Sequence, residues 1–286
     1  MSIEKGALYL VATPIGNLDD FTFRAIETLK SADLIAAEDT RNSIKLLNHF
    51  EIKTPMTSYH EFNKIDKATY LVGKMLKGET VACITDAGTP GISDPGEELC
   101  RQARNAGIPV HPIPGPVAGV NALIMSGRKT RRFCFEAFLP ADKKERAYIL
   151  NELKNETRTI ILYEAPHRLV RTLGELAKVL GGERILTICK ELTKRHEKSM
   201  EFTFAEALEF YKTTEPRGEY VLVIEGRNRE ELVQEVRAEW EEMPIAEHVA
   251  MYEAQGMDHK EAMKAAAKDR GVSKRDIYAE LINQKN

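Results

Sequence analysis

The chain has 286 residues, of which 43% are hydrophobic and 30% charged, with a formal net charge of −3. This composition excludes a disordered chain, and the length suits two domains with a small third part. The absence of a signal peptide and of any apolar run of about 18 residues predicts a cytoplasmic protein without a membrane span. The negative balance means that RNA binding would need a local basic surface.

Residues 1–127 alternate between strand-like and helix-like segments. Apolar, β-rich runs occupy residues 7–12, 34–37, 81–85 and 110–114, and segments with helical periodicity occupy 22–29, 67–76, 96–105 and 117–125. This alternation is typical of βαβ units with a mainly parallel sheet. We therefore predict an N-terminal α/β domain at residues 1–127.

Three loops rich in glycine and proline follow the predicted strands, at residues 13–17, 84–96 and 112–119. Glycine lets a backbone approach a ligand closely, and proline makes the bend rigid. Ligands of parallel sheets bind beyond the carboxyl ends of the strands, so the loops predict one shared site; three unrelated turns are the alternative. The spacing matches neither a P-loop nor a dinucleotide-binding motif.

Residues 128–226 are predicted to form a second α/β domain, entered through the basic segment 126–132. Strand-like runs at 133–138, 159–163, 184–190, 199–204 and 220–225 enclose helical segments near 144–154, 167–180 and 205–212. Residues 197–204 alternate between polar and apolar types, as a half-exposed strand does, which predicts antiparallel strands here.

Residues 227–286 have a helical pattern only, with a break at Pro244 and turns at Gly256 and Gly271. We predict a C-terminal helix-turn-helix-like module, with Ser273 capping its last helix. Residues 227–258 are acidic and residues 259–286 basic, which suits either an RNA-facing surface or a solvated helical cap. Trp240 is expected to pack in this module.

Cysteines and histidines give no indication of a metal site or a disulfide. Cys83, Cys100, Cys134 and Cys189 lie far apart with no CxxC motif, and the seven histidines lack paired spacing. We therefore expect reduced thiols and no metal.

Eight segments resemble the tetrapyrrole methylase superfamily, and more closely its branch that acts on ribosomal RNA: residues 8–18, 36–41, 86–90, 94–96, 114–116, 138–140, 163–168 and 191–194. The resemblance implies two α/β domains with S-adenosyl-L-methionine in the cleft between them. It further implies a homodimer that 2′-O-methylates the ribose of a decoding-site cytidine, numbered 1402, in the 16S rRNA of the small ribosomal subunit.

The same resemblance implies which residues hold the cofactor: Pro14, Asp86, Ala87, Gly88, Thr89, Val117, Ala118, Tyr163 and Ala165. Such a wall has few charges and many backbone groups, which suits an adenine and a zwitterionic methionine better than a triphosphate.

Candidates for a general base are Glu38, Asp39 and Glu164, with His60 as a further possibility. A base would have to reach the ribose hydroxyl, although orientation alone supplies much of the rate of such a transfer. The structural alternatives are that Asp39 caps the next helix and pairs with Arg41, and that His60 packs against its aromatic neighbours.

Arginines near the expected cleft are predicted to contact RNA phosphates: Arg24, Arg41, Arg128, Arg131, Arg132 and Arg168. Pairing with surface carboxylates is their alternative role. Two other functions stay open, a methyltransferase acting on a porphyrin-like small molecule and a catalytically inactive RNA-binding ribosome-assembly factor.

Overall fold

The computed structural model describes residues 3–283, which divide into two compact units. The first unit comprises Met1–Asn151 and Thr159–Glu225 and contains both β-sheets. The second comprises Glu152–Arg158 and Gly226–Asn286. The end of the predicted helical module, residues 284–286, lies outside the described residues. The three-domain division at 127/128 and 226/227 stays a prediction.

The first sheet is built as the apolar runs predicted. Its strands are β1 (Leu8–Val11), β2 (Leu34–Ala37), β3 (Met56–Ser58), β4 (Val81–Ile84) and β5 (Val110–Ile113), in the order β3-β2-β4-β1-β5 with every pair parallel. Tyr9 and Val11 pack into one hydrophobic cluster and Leu8 and Leu10 into another, so both faces of the sheet are covered. Burial on both faces explains why the inner strands β1, β2 and β4 are continuously apolar.

Five helices accompany this sheet: α1 (Phe23–Ser31), α2 (Thr40–His49), α3 (Lys64–Met75), α4 (Gly96–Asn105) and α5 (Ala118–Ser126). Helix α2 and strand β3 were not predicted as elements. Helix α2 is mostly polar and only Ser43 and Leu47 of its residues are buried, while β3 has three half-buried residues at the sheet edge. Short edge elements give too little apolar periodicity to be recognised.

The second sheet mixes strand directions, which confirms the prediction of antiparallel strands. Its strands are β6 (Phe133–Phe138), β7 (Thr159–Glu164), β8 (Ile185–Lys190), β9 (Lys198–Thr203) and β10 (Tyr220–Ile224), in the order β6-β7-β10-β8-β9. Strand β6 is parallel to β7, and the other three pairs are antiparallel. Three further helices follow its strands: α6 (Lys143–Leu153), α7 (Pro166–Leu180) and α8 (Phe204–Thr213).

Helix α5 joins the two halves of this unit. Its residues Ala122 and Leu123 pack in one cluster with Ile161 of β7, Cys189 of β8 and Val223 of β10. A helix that follows the first sheet is thereby buried against the second, and the loop before it is held between the carboxyl edge of the first sheet and the strands of the second.

The second unit consists of α9 (Arg229–Glu242), α10 (Ile245–Ala254), α11 (His259–Arg270) and α12 (Lys274–Asn283). The breaks at Pro244, Gly256 and Gly271 fall where the sequence predicted them, and Gly271 ends α11 in a left-handed conformation with φ 66°. Ser273 caps α12, because its hydroxyl accepts a hydrogen bond from the Asp276 amide at 3.2 Å. No helix within residues 3–283 is long and apolar enough to span a bilayer.

A buried polar group lies inside the helical unit. The imidazole of His248 is fully buried, stacks on Trp240 with ring centroids 4.1 Å apart, and accepts a hydrogen bond from Arg270 Nε at 3.1 Å. Burial, followed by the neighbouring Arg270 charge, lowers the pKa of His248, whereas Asp269 opposes this shift. The folded unit therefore favours the neutral imidazole.

We expect the helical unit to lose stability in mild acid. The unfolded chain binds a proton at His248 below about pH 6.5 and the folded unit resists it, so stability falls as pH decreases, by up to about 1.4 kcal/mol per pH unit. Urea unfolding of the full chain, followed by the fluorescence of the single Trp240, measures this slope. His248→Gln keeps a hydrogen-bond acceptor but does not titrate, so its stability should depend less steeply on pH. The control His259→Gln replaces an exposed ring and should keep the pH dependence of the wild type. Equal slopes in all three proteins would contradict the assignment.

Candidate active site

A cavity of about 390 Å³ lies beyond the carboxyl ends of the first sheet, within the first unit. It is lined by the loop after β4, the start of α5, the end of β7 and residues 219–221 at β10. This volume lies within the range of about 300–1,000 Å³ that is usual for small-molecule sites.

The three loops rich in glycine and proline meet at this cavity. Thr13 and Gly88 exchange backbone hydrogen bonds of 2.9 and 3.1 Å, and the Thr89 hydroxyl donates to the Pro116 carbonyl at 3.0 Å. Gly88 has φ 85°, a conformation that favours glycine. The three loops therefore meet at one cavity, and the alternative of three unrelated turns is wrong. That a ligand binds there stays a prediction.

Asp94 folds the far part of the loop after β4. Its carboxylate accepts hydrogen bonds from the amides of Gly91, Ile92 and Gly96 at 2.8, 3.0 and 2.7 Å. A Cβ on Gly96 would lie 2.7 Å from Asp94 Oδ1 and 2.8 Å from the Gly91 nitrogen, so this position requires glycine. The loop thus has a fixed shape and presents Ile92 and Ser93 to the cavity.

Tyr163 of β7 connects the second sheet to the start of α5. Its hydroxyl accepts a hydrogen bond from the Gly119 amide at 3.0 Å, and its ring packs edge-on against Phe135 and Phe138. Burial raises the pKa of Tyr163, which keeps the phenol neutral. The wall opposite the loop after β4 is therefore aromatic and uncharged at this point.

The charged groups of the cavity wall are all acidic: Glu38, Asp86, Asp94, Glu164 and Glu219. Among the described residues that line it there is no lysine, arginine or histidine. Burial raises the pKa of Glu38; the Asp86 amide, which donates to its Oε2 at 3.4 Å, opposes this, and the carboxylates of Asp86, Asp94 and Asp39 add to it. Such a wall favours a cationic ligand and disfavours a phosphate.

These residues fit the expected cofactor, S-adenosyl-L-methionine, which carries a sulfonium and an ammonium group against one carboxylate. The acidic wall complements its net positive charge. The amides of Ala87 and Thr89 make no hydrogen bond to other described residues and are available as donors to a carboxylate or an adenine.

Most of the predicted cofactor residues line the cavity: Asp86, Ala87, Gly88, Thr89, Val117, Ala118, Tyr163 and Ala165. Pro14 does not line it, whereas its neighbour Ile15 does. Residues that were not predicted also contribute, among them Phe138, Leu192, Glu219, Tyr220 and Val221. Phe138 and Leu192 lie in two of the segments that resemble the family, so the sequence could have identified them as site residues. No pattern in the neighbouring sequence indicated that residues 219–221 line the cavity.

The adjacent residues Glu38 and Asp39 have different surroundings. Glu38 lines the cavity, but Asp39 does not. Asp39 caps α2 through the Arg41 amide at 2.8 Å and binds the Arg41 guanidinium at 3.0 and 2.7 Å. These hydrogen bonds lower the pKa of Asp39 to about 2. The capping interpretation of Asp39 is therefore confirmed.

Glu164 lines the cavity from the second sheet but is only 2% exposed. Its carboxylate accepts hydrogen bonds from the Thr172 hydroxyl and from the Ala165 amide at 2.8 Å, and it lies 3.4 Å from Arg168 Nε. These contacts occupy both carboxylate oxygens and support a structural role. The fourth base candidate, His60, does not line the cavity and contacts Asn63 instead.

The six predicted RNA-binding arginines divide into two groups. Arg128 is paired with Glu201 and Glu225, Arg168 with Glu164, and Arg41 with Asp39. Arg24, Arg131 and Arg132 are exposed and form no ion pair within residues 3–283. The side chains of Arg128 and Arg168 are largely buried, so for these two residues the structure supports pairing with carboxylates over RNA binding.

Comparison with known proteins places this architecture in a larger group. The sequence profile described as Tetrapyrrole (Corrin/Porphyrin) Methylases matches residues 7–208. Proteins named ribosomal RNA small subunit methyltransferase I are similar over most of their length. The one from Halalkalibacterium halodurans is 50% identical over 96% of this chain and 94% of its own; the one from Escherichia coli O157:H7 is 41% identical over 98% and 96%.

Solved structures with a similar fold are more distant in sequence. Uroporphyrin-III-C-methyltransferase from Thermus thermophilus superposes with a TM-score of 0.55 at 20% identity, over 76% of this chain and 94% of its own. Diphthine synthase superposes with a TM-score of 0.62 at 11% identity, over 77% and 90%. At such identities the likeness extends to the fold alone.

Proposed function

This chain belongs to the tetrapyrrole methylase family, and we propose that it transfers a methyl group from S-adenosyl-L-methionine to ribosomal RNA. In its finer form, the proposal is 2′-O-methylation of the ribose of cytidine 1402, at the decoding site of 16S rRNA. Support for RNA as the acceptor comes from the names of relatives that are 41–50% identical over nearly the whole chain. Support for the methyl donor comes from the acidic cavity, which lacks lysine, arginine and histidine in its described lining.

The same cavity speaks against a porphyrin-like acceptor. A macrocycle that carries several carboxylates would meet Glu38, Asp86, Asp94 and Glu219 at the wall without a compensating cation from the lining. Like charges at short range are repulsive, most strongly where water is excluded. A ribose hydroxyl is uncharged and its phosphates can stay outside, so an RNA acceptor avoids this cost.

When bound, the cofactor supplies a methyl group already activated by its sulfonium sulfur. The chain's own residues hold the two reactants in line, since orientation accounts for much of the barrier reduction in such a transfer. The loop at 86–89 and the start of α5 form the binding wall, and Tyr163 closes it from the second sheet. Glu38, which lines the cavity, would take up the proton that the ribose hydroxyl loses.

The experiment that tests this function is transfer of a labelled methyl group from S-adenosyl-L-methionine to small ribosomal subunits that lack the modification. We expect one equivalent of label per subunit, on a cytidine ribose at the decoding site. Label on a base, or transfer to a porphyrin-like acceptor in place of RNA, would overturn the proposal. Cofactor binding without transfer to any RNA would instead favour the assembly-factor alternative.

The exposed arginines give a prediction about RNA affinity. Arg131 and Arg132 lie between α5 and β6 without an ion pair among the described residues, so they are available to phosphates. Replacing both with glutamine should weaken binding to the small subunit and reduce the slope of log affinity against log salt by about 1.4–1.8. Equilibrium binding at several salt concentrations measures this slope. The control Lys212→Gln removes an exposed cation that is paired with Glu209. An unchanged slope in the Arg131/Arg132 variant would mean that these two arginines do not contact the RNA.

The proposal also includes a homodimer, as the resemblance of the sequence implies, and a location in the cytoplasm. Sedimentation of the purified full chain at micromolar concentration tests the dimer directly. Finding a monomer at that concentration would contradict the proposed dimer but not the proposed methyl transfer.

A further inference from the structure

The segment that follows β3 carries a fully solvent-facing aromatic ring. Phe62 is 97% exposed, more than any other large hydrophobic side chain among residues 3–283. Exposing a phenyl ring to water has no benefit for folding, because its burial would stabilise the protein by about 1.5–3 kcal/mol. Single exposed hydrophobic side chains are common on protein surfaces, so the position of Phe62 in the fold decides what role the ring can have.

The turn beneath Phe62 is rigid rather than loose. The His60 amide donates to Asn63 Oδ1 at 2.9 Å, and the Asn63 amide donates back to the His60 carbonyl at 3.0 Å. Tyr59, 2% exposed, anchors the start of the turn by donating its hydroxyl to the Pro95 carbonyl at 2.7 Å. The His60 ring packs against Phe62 with centroids 6.1 Å apart at 66°. The hydrogen bonds order the backbone that carries Phe62, which lowers the entropy cost of binding to this turn.

The turn lies next to the cavity. In the first sheet Ser58 is in register with Ala37, the Tyr59 amide donates to the Ala37 carbonyl at 2.7 Å, and Glu38 follows directly. Pro95, which receives the Tyr59 hydroxyl, follows Asp94 of the cavity wall. Phe62 lies three residues beyond Tyr59 in the segment after β3, at the carboxyl edge of the first sheet, where the cavity also lies. Arg41, whose side chain is 87% exposed, follows β2 at the same edge.

We propose that Phe62 is a stacking platform for an unpaired base of the RNA substrate, next to the nucleotide whose ribose enters the cavity. This inference rests on the proposed function. Single-stranded RNA is recognised mainly by stacking of splayed bases on aromatic rings. The Phe62 ring offers an open face at the same edge of the sheet as the cavity and the exposed Arg41. A base held on Phe62 limits the positions of the neighbouring ribose, so the residue positions the acceptor without taking part in the chemistry.

The test compares four variants in methyl transfer to unmodified small subunits at subsaturating subunit concentration. Phe62→Ala should lower kcat/KM for the subunit by about 5- to 150-fold, the effect of losing one stacked base. Phe62→Trp should restore most of the rate, whereas Phe62→Leu, which is apolar but not aromatic, should not. The matched control Tyr70→Ala removes a half-exposed ring further along α3 and should keep wild-type kcat/KM.

Two further measurements separate stacking from folding and assembly. The thermal midpoint and the affinity for S-adenosyl-L-methionine should be the same in Phe62→Ala and wild type. Wild-type kcat/KM in Phe62→Ala, or equal kcat/KM in Phe62→Leu and wild type, would overturn the inference about Phe62. The proposed function would still stand in that case, because the wild type would still methylate RNA. A change of oligomeric state in Phe62→Ala with unchanged kcat/KM would assign the ring to a protein contact and also overturn it. If the wild type transfers no methyl group to RNA, both proposals fail.

Discussion

Replacing Glu38 with glutamine is expected to lower kcat for RNA methylation by about 100- to 1,000-fold, as loss of a general base does. Of the four candidate bases, Glu38 alone combines a place in the cavity wall with a carboxylate that is not held by a guanidinium or a buried hydroxyl. Burial and the nearby carboxylates raise its pKa, which makes it a stronger base than an ordinary glutamate. Glutamine keeps the size of the side chain but cannot accept the proton.

The pH profile gives a second measure of the same role. The base acts in its ionised form, so kcat of the wild type should fall as pH decreases through the raised pKa of Glu38, above the usual range for a glutamate. Glu38→Gln should lack this limb. Single-turnover rates on unmodified subunits between pH 5 and 8, in steps of about half a unit, resolve the limb from substrate binding.

The control for this variant is Glu79→Gln, which removes a carboxylate paired with Lys74 just before β4, at the opposite edge of the sheet. Its kcat and pH profile should match those of the wild type. If Glu38→Gln kept kcat within about threefold with unchanged cofactor affinity, the transfer would need no base and orientation would supply its rate.

Replacing Glu164 with alanine is expected to destabilise the first unit by about 3–5 kcal/mol, the usual cost of leaving a buried partner uncompensated. The carboxylate binds Thr172 and Arg168, and Thr172 in turn accepts a hydrogen bond from the buried Arg146 at 2.8 Å. Arg168 also donates to the Leu139 carbonyl at 2.6 Å. Removing the carboxylate therefore takes one partner away from the buried Thr172 hydroxyl and one from the Arg168 guanidinium.

Urea unfolding followed by far-UV circular dichroism measures this loss in the full chain. Glu209→Ala is the matched control, because Glu209 pairs with Lys212 and both side chains are exposed, and such a pair contributes about 0–1 kcal/mol. Glu164→Gln keeps the hydrogen-bonding shape and should be destabilised less than Glu164→Ala. A Glu164→Ala protein as stable as wild type but without methyl transfer would reverse the assignment and make Glu164 a catalytic residue.

Patterns within short segments were enough to predict much of the fold. Runs such as Val81–Ile84 are apolar at every position because the parallel sheet is covered on both faces, and this signal does not depend on distant residues. Loops that follow parallel strands must meet at one edge, so the sequence also predicted the place of the cavity. The cofactor residues were predicted from the family resemblance, and most of them line this cavity. Elements at the periphery, α2 and β3, carried too little burial to leave a comparable pattern.

Local sequence patterns were sufficient to predict the parallel sheet and the position of the loops, and the motifs were sufficient to predict membership of a methylase family. The roles of individual charged side chains became clear from the three-dimensional contacts. Glu38 and Asp39 are adjacent in the sequence, yet one lines the cavity and the other caps a helix. Arg128 is held by Glu201 and Glu225, which lie far along the chain. Burial and ion pairing depend on contacts between residues that are distant in the sequence, and such contacts cannot be predicted from a local sequence pattern.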